Sequence, residues 1–327
     1  MRSFSYGRAR SLEEALTLAQ RTDVTLLAGG TELLNWARIG IHRPERVLDI
    51  SRVPGLTGIT ALESGGLRIG ALTSLNAVAL HAEVRERYPV LSQAIVQSAS
   101  AQLRNLATIG GNPVQRTRCA YFRSDLPVPC NKREPGSGCA ALNGINARHA
   151  IFGWTEQCVA THPSDPAVAL SCLDAVYVTE HVEGGRRLPA KDFHVLPAED
   201  PCAHNVLRHG EVITAIEVGP SAPRSAYVKV RERQSYEFAL TSAAAVAEVR
   251  DEVITRARIA LGGVAMRPWR LEQAEVSLVG LTVGSAQVKV AITSAFDDAR
   301  ALSSNAFKIP LSRNTALRAF QLAARVR

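Results

Sequence analysis

The stretch "LLAGGTELL", Leu26 to Leu34, sets a pair of glycines between an apolar run and a helix-forming one. The residues from Asp23 to Ala28 read as a buried strand, Gly29 and Gly30 as a turn, and Thr31 as the N-cap of a helix running to about Arg38. Backbone N–H groups at such a turn, backed by the positive end of a helix, suit a pyrophosphate. Neither G-x-G-x-x-G nor G-x-x-x-x-G-K-[ST] is present in the segment, so it is neither a Rossmann nor a P-loop signature. Taken alone, it reads equally as a plain strand-to-helix turn.

A second glycine pair changes the balance. In "ATIGGN", Ala107 to Asn112, Thr108 precedes Gly110 and Gly111, and Asn112 follows them. Two separated backbone loops with small polar side chains suit a dinucleotide that lies extended between two lobes.

Directly after this second loop come four cysteines in one Gly/Pro/Arg-rich segment: Cys119, Cys130, Cys139 and Cys158. Their C-x10-C-x8-C-x18-C spacing is looser than compact ferredoxin or zinc-finger runs and does not name a metal. Thiolate ligands need their charge offset, and Arg116, Arg118, Arg123, Lys132, Arg133 and the backbone amides near Gly136 to Gly138 are at hand. Such surroundings suit an iron–sulfur cluster; structural zinc is the alternative, and disulfides fit poorly with a chain lacking an export signal. Cys172 and Cys202 lie outside the cluster and read as a buried and a loop thiol.

Four other residues invite a role. His149 and His162 flank the cysteine segment, and the plain reading of each prevails: His149 pads the loop, and His162 starts a turn. Asp165, in "HPSDPA", can accept hydrogen bonds from cofactor hydroxyls, or is simply a solvated turn residue. Lys229, in "YVKVRER", alternates with Val228 and Val230 on a strand, where it is either an exposed lysine or a cation that stabilises developing negative charge.

Outward from these motifs, the chain of 327 residues exceeds what one hydrophobic core supports. Ser11 and Glu14 form a capping box before a helix whose Leu12, Ala15, Leu16 and Leu18 face a core. Strand Glu45 to Ile50 completes a first lobe, and Pro54-Gly55 breaks the chain, giving a lobe of residues 1–55. The second lobe, 56–220, holds a strand at Leu67 to Ala71 and helices at Ser74 to His81 and Pro89 to Ser98. The cysteine loop, 113–160, and the strand-like runs "AVALSCL" and "AVYVTE" complete it. Pro-rich Val218 to Ala226 reads as a linker. Residues 224–327 form a further α+β domain, in which strands at "YVKVRER", "SAAAVAEV" and "ARIALGGV" precede helices at Ser285 to Arg300 and Asn314 to Val326.

Composition narrows the class. Hydrophobic residues make up 46% and charged residues 21%, as in ordinary globular enzymes. The net charge of +8 is spread along the chain rather than gathered in a basic stripe, which argues against nucleic acid as partner. The most apolar stretch, Phe238 to Val249, is too short to span a membrane. The first twenty residues lack the apolar core of a secretory signal.

The segments "LLAGGTELL", "DISRVPGL", "IGALTSL", "ATIGGN", "HPSDPAVAL" and "ALGGVAMRPWR" together resemble the FAD-binding medium subunits of the molybdenum hydroxylases, over nearly the whole length. The cysteine loop is similar to that of the aldehyde oxidoreductase branch, whose flavin subunit carries a [4Fe–4S] cluster. The resemblance implies a fold of the α+β class: a two-lobed FAD-binding domain of the vanillyl-alcohol-oxidase type, plus a C-terminal domain of the CO dehydrogenase flavoprotein type. It implies FAD held by Leu26, Leu27, Ala28, Gly29, Gly30, Thr31, Glu32, Leu33 and Leu34, and by Thr108, Gly111 and Asn112. Asp165, Ile213 and Lys229 would close around it, Ile213 on the likeness alone. A [4Fe–4S] cluster would hang from Cys119, Cys130, Cys139 and Cys158.

The implied role is an electron relay with no catalytic nucleophile of its own. The implied partners are a molybdenum-cofactor-binding large subunit, a small [2Fe–2S] subunit and an external electron acceptor. The compartment is the cytoplasm, or the periplasm by co-export with a partner bearing a twin-arginine signal. A zinc-stabilised scaffold and a standalone flavin oxidase are the rival readings.

Overall fold

The computed structural model describes residues 2–324. The first lobe runs β1 (Ser5–Arg8), α1 (Leu12–Ala19), β2 (Val24–Leu27), α2 (Leu33–Arg38) and β3 (Arg46–Asp49). Its three parallel strands lie in the order β1-β3-β2. Ser11 caps α1 by accepting from the Glu14 N–H at 3.1 Å, while Glu14 accepts from Arg10 N–H at 2.7 Å, one residue earlier than a standard capping box. Leu12, Ala15, Leu16 and Leu18 pack into a core with Leu48, Ile50, Leu72 and Val212.

Two expectations shift here. The strand β2 is half-buried rather than buried, because it is an edge strand while β3 takes the centre of the sheet. Thr31 does not cap α2, which starts at Leu33 behind Glu32 without a side-chain cap. Glu32 is instead committed to Trp36 Nε1 at 2.7 Å and to Arg118 Nη2 at 2.6 Å.

The second lobe contains β4 (Ile59–Ala61), β5 (Leu67–Gly70), α3 (Leu75–Leu80), α4 (Ala82–Arg87), α5 (Pro89–Gln97), α6 (Ala101–Leu106), α7 (Asp165–Cys172), β6 (Val176–Glu180), β7 (Arg186–Pro189) and β8 (Val212–Val218). Five antiparallel strands run β4-β5-β8-β6-β7. The run "AVALSCL" is helix, not strand. All eight residues of α7 are buried, so it lacks the polar face that gives a helix its 3.6-residue signature. The local signals are Ser164, whose hydroxyl caps Ala167 N–H at 3.0 Å, and Pro166 in the first turn.

The third domain is a meander, β12-β11-β10-β9, of β9 (Ser225–Val230), β10 (Thr241–Arg250), β11 (Val253–Gly262) and β12 (Trp269–Arg270), with α8 (Glu272–Leu278), α9 (Ala286–Ser294) and α10 (Lys308–Ala324). The helix expected at Asn314 begins six residues earlier, α9 stops at Ser294, and α8 was not foreseen; Val326 lies outside the described residues.

Strand β10 is buried on both faces. Ala243, Ala245 and Ala247 pack in the third-domain core, while Ala244 and Val246 join the second-lobe core with α5 and α7. Small side chains at both sets of positions let a sheet serve two cores at once. The 219–224 connection is tied down, with Ala222 N–H donating to Arg87 O at 2.8 Å and Tyr88 Oη to Gly219 O at 2.6 Å.

Candidate functional site

A cavity of about 900 Å3 lies where the three units meet, near the upper end of the range for cofactor sites. Leu26, Ala28, Gly29, Gly30, Thr31, Glu32 and Leu33 line it from the first lobe, and Thr108, Gly111, Asn112, Asp165 and Ile213 from the second. Lys229 reaches it from β9. Leu27 and Leu34 are not in the wall; their Cδ1 atoms stand 3.2 and 3.3 Å from where a Cβ on Gly30 would be.

The two glycine loops pack on each other. A Cβ on Gly29 would meet Leu106 O at 1.9 Å, and one on Gly110 would meet the Ala71 Cβ at 2.5 Å. Gly30 has φ of +70°, which a residue with a Cβ adopts only under strain. Gly111 N–H donates to Thr108 Oγ1 at 3.2 Å, and Asn112 Oδ1 accepts from Ser164 Oγ at 2.5 Å, so the second loop is tied to the start of α7.

Asp165 and Lys229 are neither a solvated turn residue nor an exposed strand residue. Their side chains are 5% and 1% exposed and form an ion pair at 2.7 Å. Tyr227 Oη donates to the other carboxylate oxygen at 2.6 Å, and Lys229 also donates to Gln97 O at 3.1 Å. Burial raises the Asp165 carboxyl above its ordinary range, opposed by the Lys229 ammonium. Tyr227 escaped the sequence reading; period-2 alternation with Lys229 is the signal that places it on the same face.

The arginines divide differently from expectation. Arg116 and Arg118 line the large cavity, Arg116 over the Trp36 ring at 4.4 Å and Arg118 over Phe238 at 4.8 Å. Arg123 bonds to Asn35 and Arg133 to Ser124 O. Of the five basic residues, only Lys132 lines the space among the cysteines.

That second, smaller space is walled by Cys119, Cys130, Cys139 and Cys158. None of the four is in a disulfide. Asn131 Oδ1 folds the loop by accepting from Gly136 and Gly138 N–H at 3.0 Å each, and Tyr121 Oη accepts from Ile145 N–H at 2.6 Å. Burial pushes the Cys119 thiol up to about 12, although the Phe122 and Tyr121 N–H groups favour its thiolate. Cys130 and Cys158 are raised by burial too, Cys130 against the N–H groups of Lys132 and Arg133, Cys158 against the Lys132 ammonium. Among the described residues no three His, Cys, Asp or Glu side chains are gathered to chelate a single metal ion. What the four thiols share is a cavity rather than a point.

His149 does more than pad the loop: its Nε2 lies 3.2 Å from Cys119 Sγ. Burial lowers it to about 4, which keeps the ring neutral. His162 is buried rather than at a turn, its ring centroid 3.9 Å from that of His194, and burial lowers it well below the ordinary value.

Residues 2–221 match the family described as the FAD binding domain in molybdopterin dehydrogenase, and residues 226–323 match the CO dehydrogenase flavoprotein C-terminal domain. The chain belongs to the FAD-binding subunits of the molybdenum hydroxylases. This flavin subunit is 43% identical to the aldehyde oxidoreductase FAD-binding subunit of Escherichia coli, over 96% of each chain. It is 28% identical to the glyceraldehyde dehydrogenase medium chain of Sulfolobus acidocaldarius, covering 88% of this chain and 84% of that one. A solved carbon monoxide dehydrogenase from Hydrogenophaga pseudoflava superposes with a TM-score of 0.76 at 26% identity, over 98% of this chain and 97% of the other. The α+β architecture expected from the sequence is the one this family has. Among the described residues of the flavin subunit, no helix is long and apolar enough to cross a membrane.

Proposed function

We propose that this chain is the electron-transfer subunit of a molybdenum-dependent aldehyde oxidoreductase, and that it carries both FAD and a [4Fe–4S] cluster. The observation that carries the reading is the meeting of two glycine loops from separate lobes on one large cavity, beside a loop that gathers four unpaired thiols around a second space.

When bound, FAD supplies two-electron redox chemistry and a [4Fe–4S] cluster one-electron chemistry. The chain's own residues provide the surroundings. Gly29 to Glu32 and Gly110 to Asn112 line the cavity where a pyrophosphate would lie. The N–H groups of Gly110, Gly111 and Asn112 are engaged by Ala71 O, Thr108 Oγ1 and Thr108 O, so the first loop would supply the amides, with Arg116 and Arg118 as cations in the same wall. Asp165 stands buried at the first turn of α7, fixed by Lys229 and Tyr227, as an acceptor for cofactor hydroxyls. Trp36, Tyr236 and Phe238 supply flat apolar surface.

The cysteine site fits a cluster by its donor chemistry. Four thiols face one space, three of them with backbone N–H groups directed at sulfur, and Lys132 beside two of them. A buried thiolate is costly without a cation to hold it, so these thiols suit deprotonation only on metal binding.

Partner subunits with a molybdenum cofactor and a [2Fe–2S] centre would hand electrons to this chain, which passes them to an outside acceptor. Support comes from relatives named as the FAD-binding subunit or medium chain of larger enzymes. Purification with the partners, followed by flavin, iron and zinc analysis, tests the reading; aldehyde oxidation by the isolated chain would instead favour a standalone oxidase.

A further inference from the structure

Lys308 is fully buried, yet it has no carboxylate partner. Its Nζ donates to His149 O at 2.7 Å and to Gly263 O at 2.5 Å. Asn305, also fully buried, donates from Nδ2 to His149 O at 3.2 Å and to Ala150 O at 3.0 Å. The His149 N–H in turn donates to Asn146 O at 3.0 Å. Two buried polar side chains of the third domain thus converge on the backbone of one residue in the cysteine loop. Burying an ammonium against carbonyls alone is expensive, so its presence calls for something it holds in place.

The carbonyl that Lys308 shares with Asn305 belongs to His149, whose imidazole is buried with Nε2 3.2 Å from Cys119 Sγ. Among the described residues this is the one histidine ring within hydrogen-bond distance of any of the four thiols. A thiolate bound to iron carries no hydrogen, so in that state the contact can only be an N–H of the ring donating to sulfur.

We propose that His149 is a hydrogen-bond donor to the Cys119 sulfur that raises the reduction potential of the cluster, with Lys308 and Asn305 as the positioning residues that aim it. The inference rests on the cluster reading above. A donor to a ligating sulfur stabilises the extra negative charge of the reduced cluster. Lys308 and Asn305 bond neither to the ring nor to the sulfur and act on the contact through the backbone they hold.

The test uses the full chain with its partner subunits, purified without air. Iron and acid-labile sulfide are measured first; a content no greater than the [2Fe–2S] partner subunit accounts for defeats the cluster reading itself, and this inference with it. With the cluster present, a redox titration followed by electron paramagnetic resonance is run on His149→Phe and His149→Gln. His149→Phe is expected to lower the reduced-to-oxidised ratio at fixed ambient potential about tenfold, a shift of about 59 mV for a one-electron couple. His149→Gln, which retains an N–H donor, is expected to recover part of the shift. An unchanged midpoint in His149→Phe with full iron content overturns the proposal. If that variant loses iron, pulsed resonance on wild-type protein labelled with nitrogen-15 histidine decides: a histidine coupling to the reduced cluster supports the contact, and its absence overturns it.

Discussion

Lys229 Nζ lies 2.7 Å from Asp165 Oδ2, joining a strand of the third domain to the first turn of a helix in the second lobe. Both side chains are buried beside the large cavity. The pair therefore fixes the geometry of that wall as well as its charge. Removing one partner leaves a buried charge without its match. Lys229→Met should destabilise the protein by about 3–5 kcal/mol in denaturant unfolding and reduce flavin content. The double variant with Asp165→Asn should recover much of the stability and none of the flavin. Full recovery of flavin in the double variant would show that the pair serves structure alone.

Gly29→Ala drives a methyl group into Leu106 O, a contact of 1.9 Å between backbone segments that cannot rotate away. We expect at least about 1–3 kcal/mol of destabilisation and loss of most bound FAD. Gly219→Ala, with nothing within 4 Å of the added methyl, should behave as wild type. Flavin absorbance per protein and thermal unfolding of both variants make the comparison.

Cys130→Ser should remove iron and sulfide while leaving FAD, because the thiols line a space separate from the large cavity. Simultaneous loss of both cofactors in a folded variant would mean that the two sites are not independent.

Glu211 gives the acid dependence. Its carboxylate accepts from Arg186 Nε at 2.9 Å, from Thr179 Oγ1 at 2.5 Å and from Arg208 N–H at 2.8 Å, at the head of β8 where Val212 and Ile213 enter the cavity wall. Against the cost of burial, these donors lower its pKa from 4.5 to about 2. A group depressed on folding stabilises the protein above its unfolded pKa and loses that contribution as pH falls through the folded value. The stability gap between wild type and Glu211→Gln should thus be full above about 4.5 and close progressively toward about 2. Urea midpoints across that range measure it, and a gap that does not change with pH would contradict it.

Much of this was legible in the sequence because glycine pairs, cysteines and alternating strands are local signals. The two glycine loops, Asp165 and Lys229 were found as separate motifs and lie on one cavity. Burial was harder to read. Helix α7 looked like a strand because a helix buried all round has no polar stripe, and Lys229 looked exposed because its partner lies 64 residues away. Arg116 and Arg118 read as neighbours of the thiols by proximity in sequence, whereas both line the large cavity while the adjacent Cys119 lines the smaller space. Lys308 and Asn305 carried no signal at all, since their targets are backbone carbonyls distant in sequence, His149 O and Ala150 O lying more than 150 residues earlier.

The most direct measurement is the visible spectrum, with flavin, iron, sulfide and zinc analysis, of the chain co-purified with its partner subunits in the absence of air. The account predicts oxidised-flavin bands on a broad iron–sulfur absorption, both bleached by dithionite, with iron and sulfide in equal amounts and in excess of what the [2Fe–2S] partner subunit accounts for. A colourless protein, or a yellow one whose cysteine loop holds zinc and no iron, would contradict it.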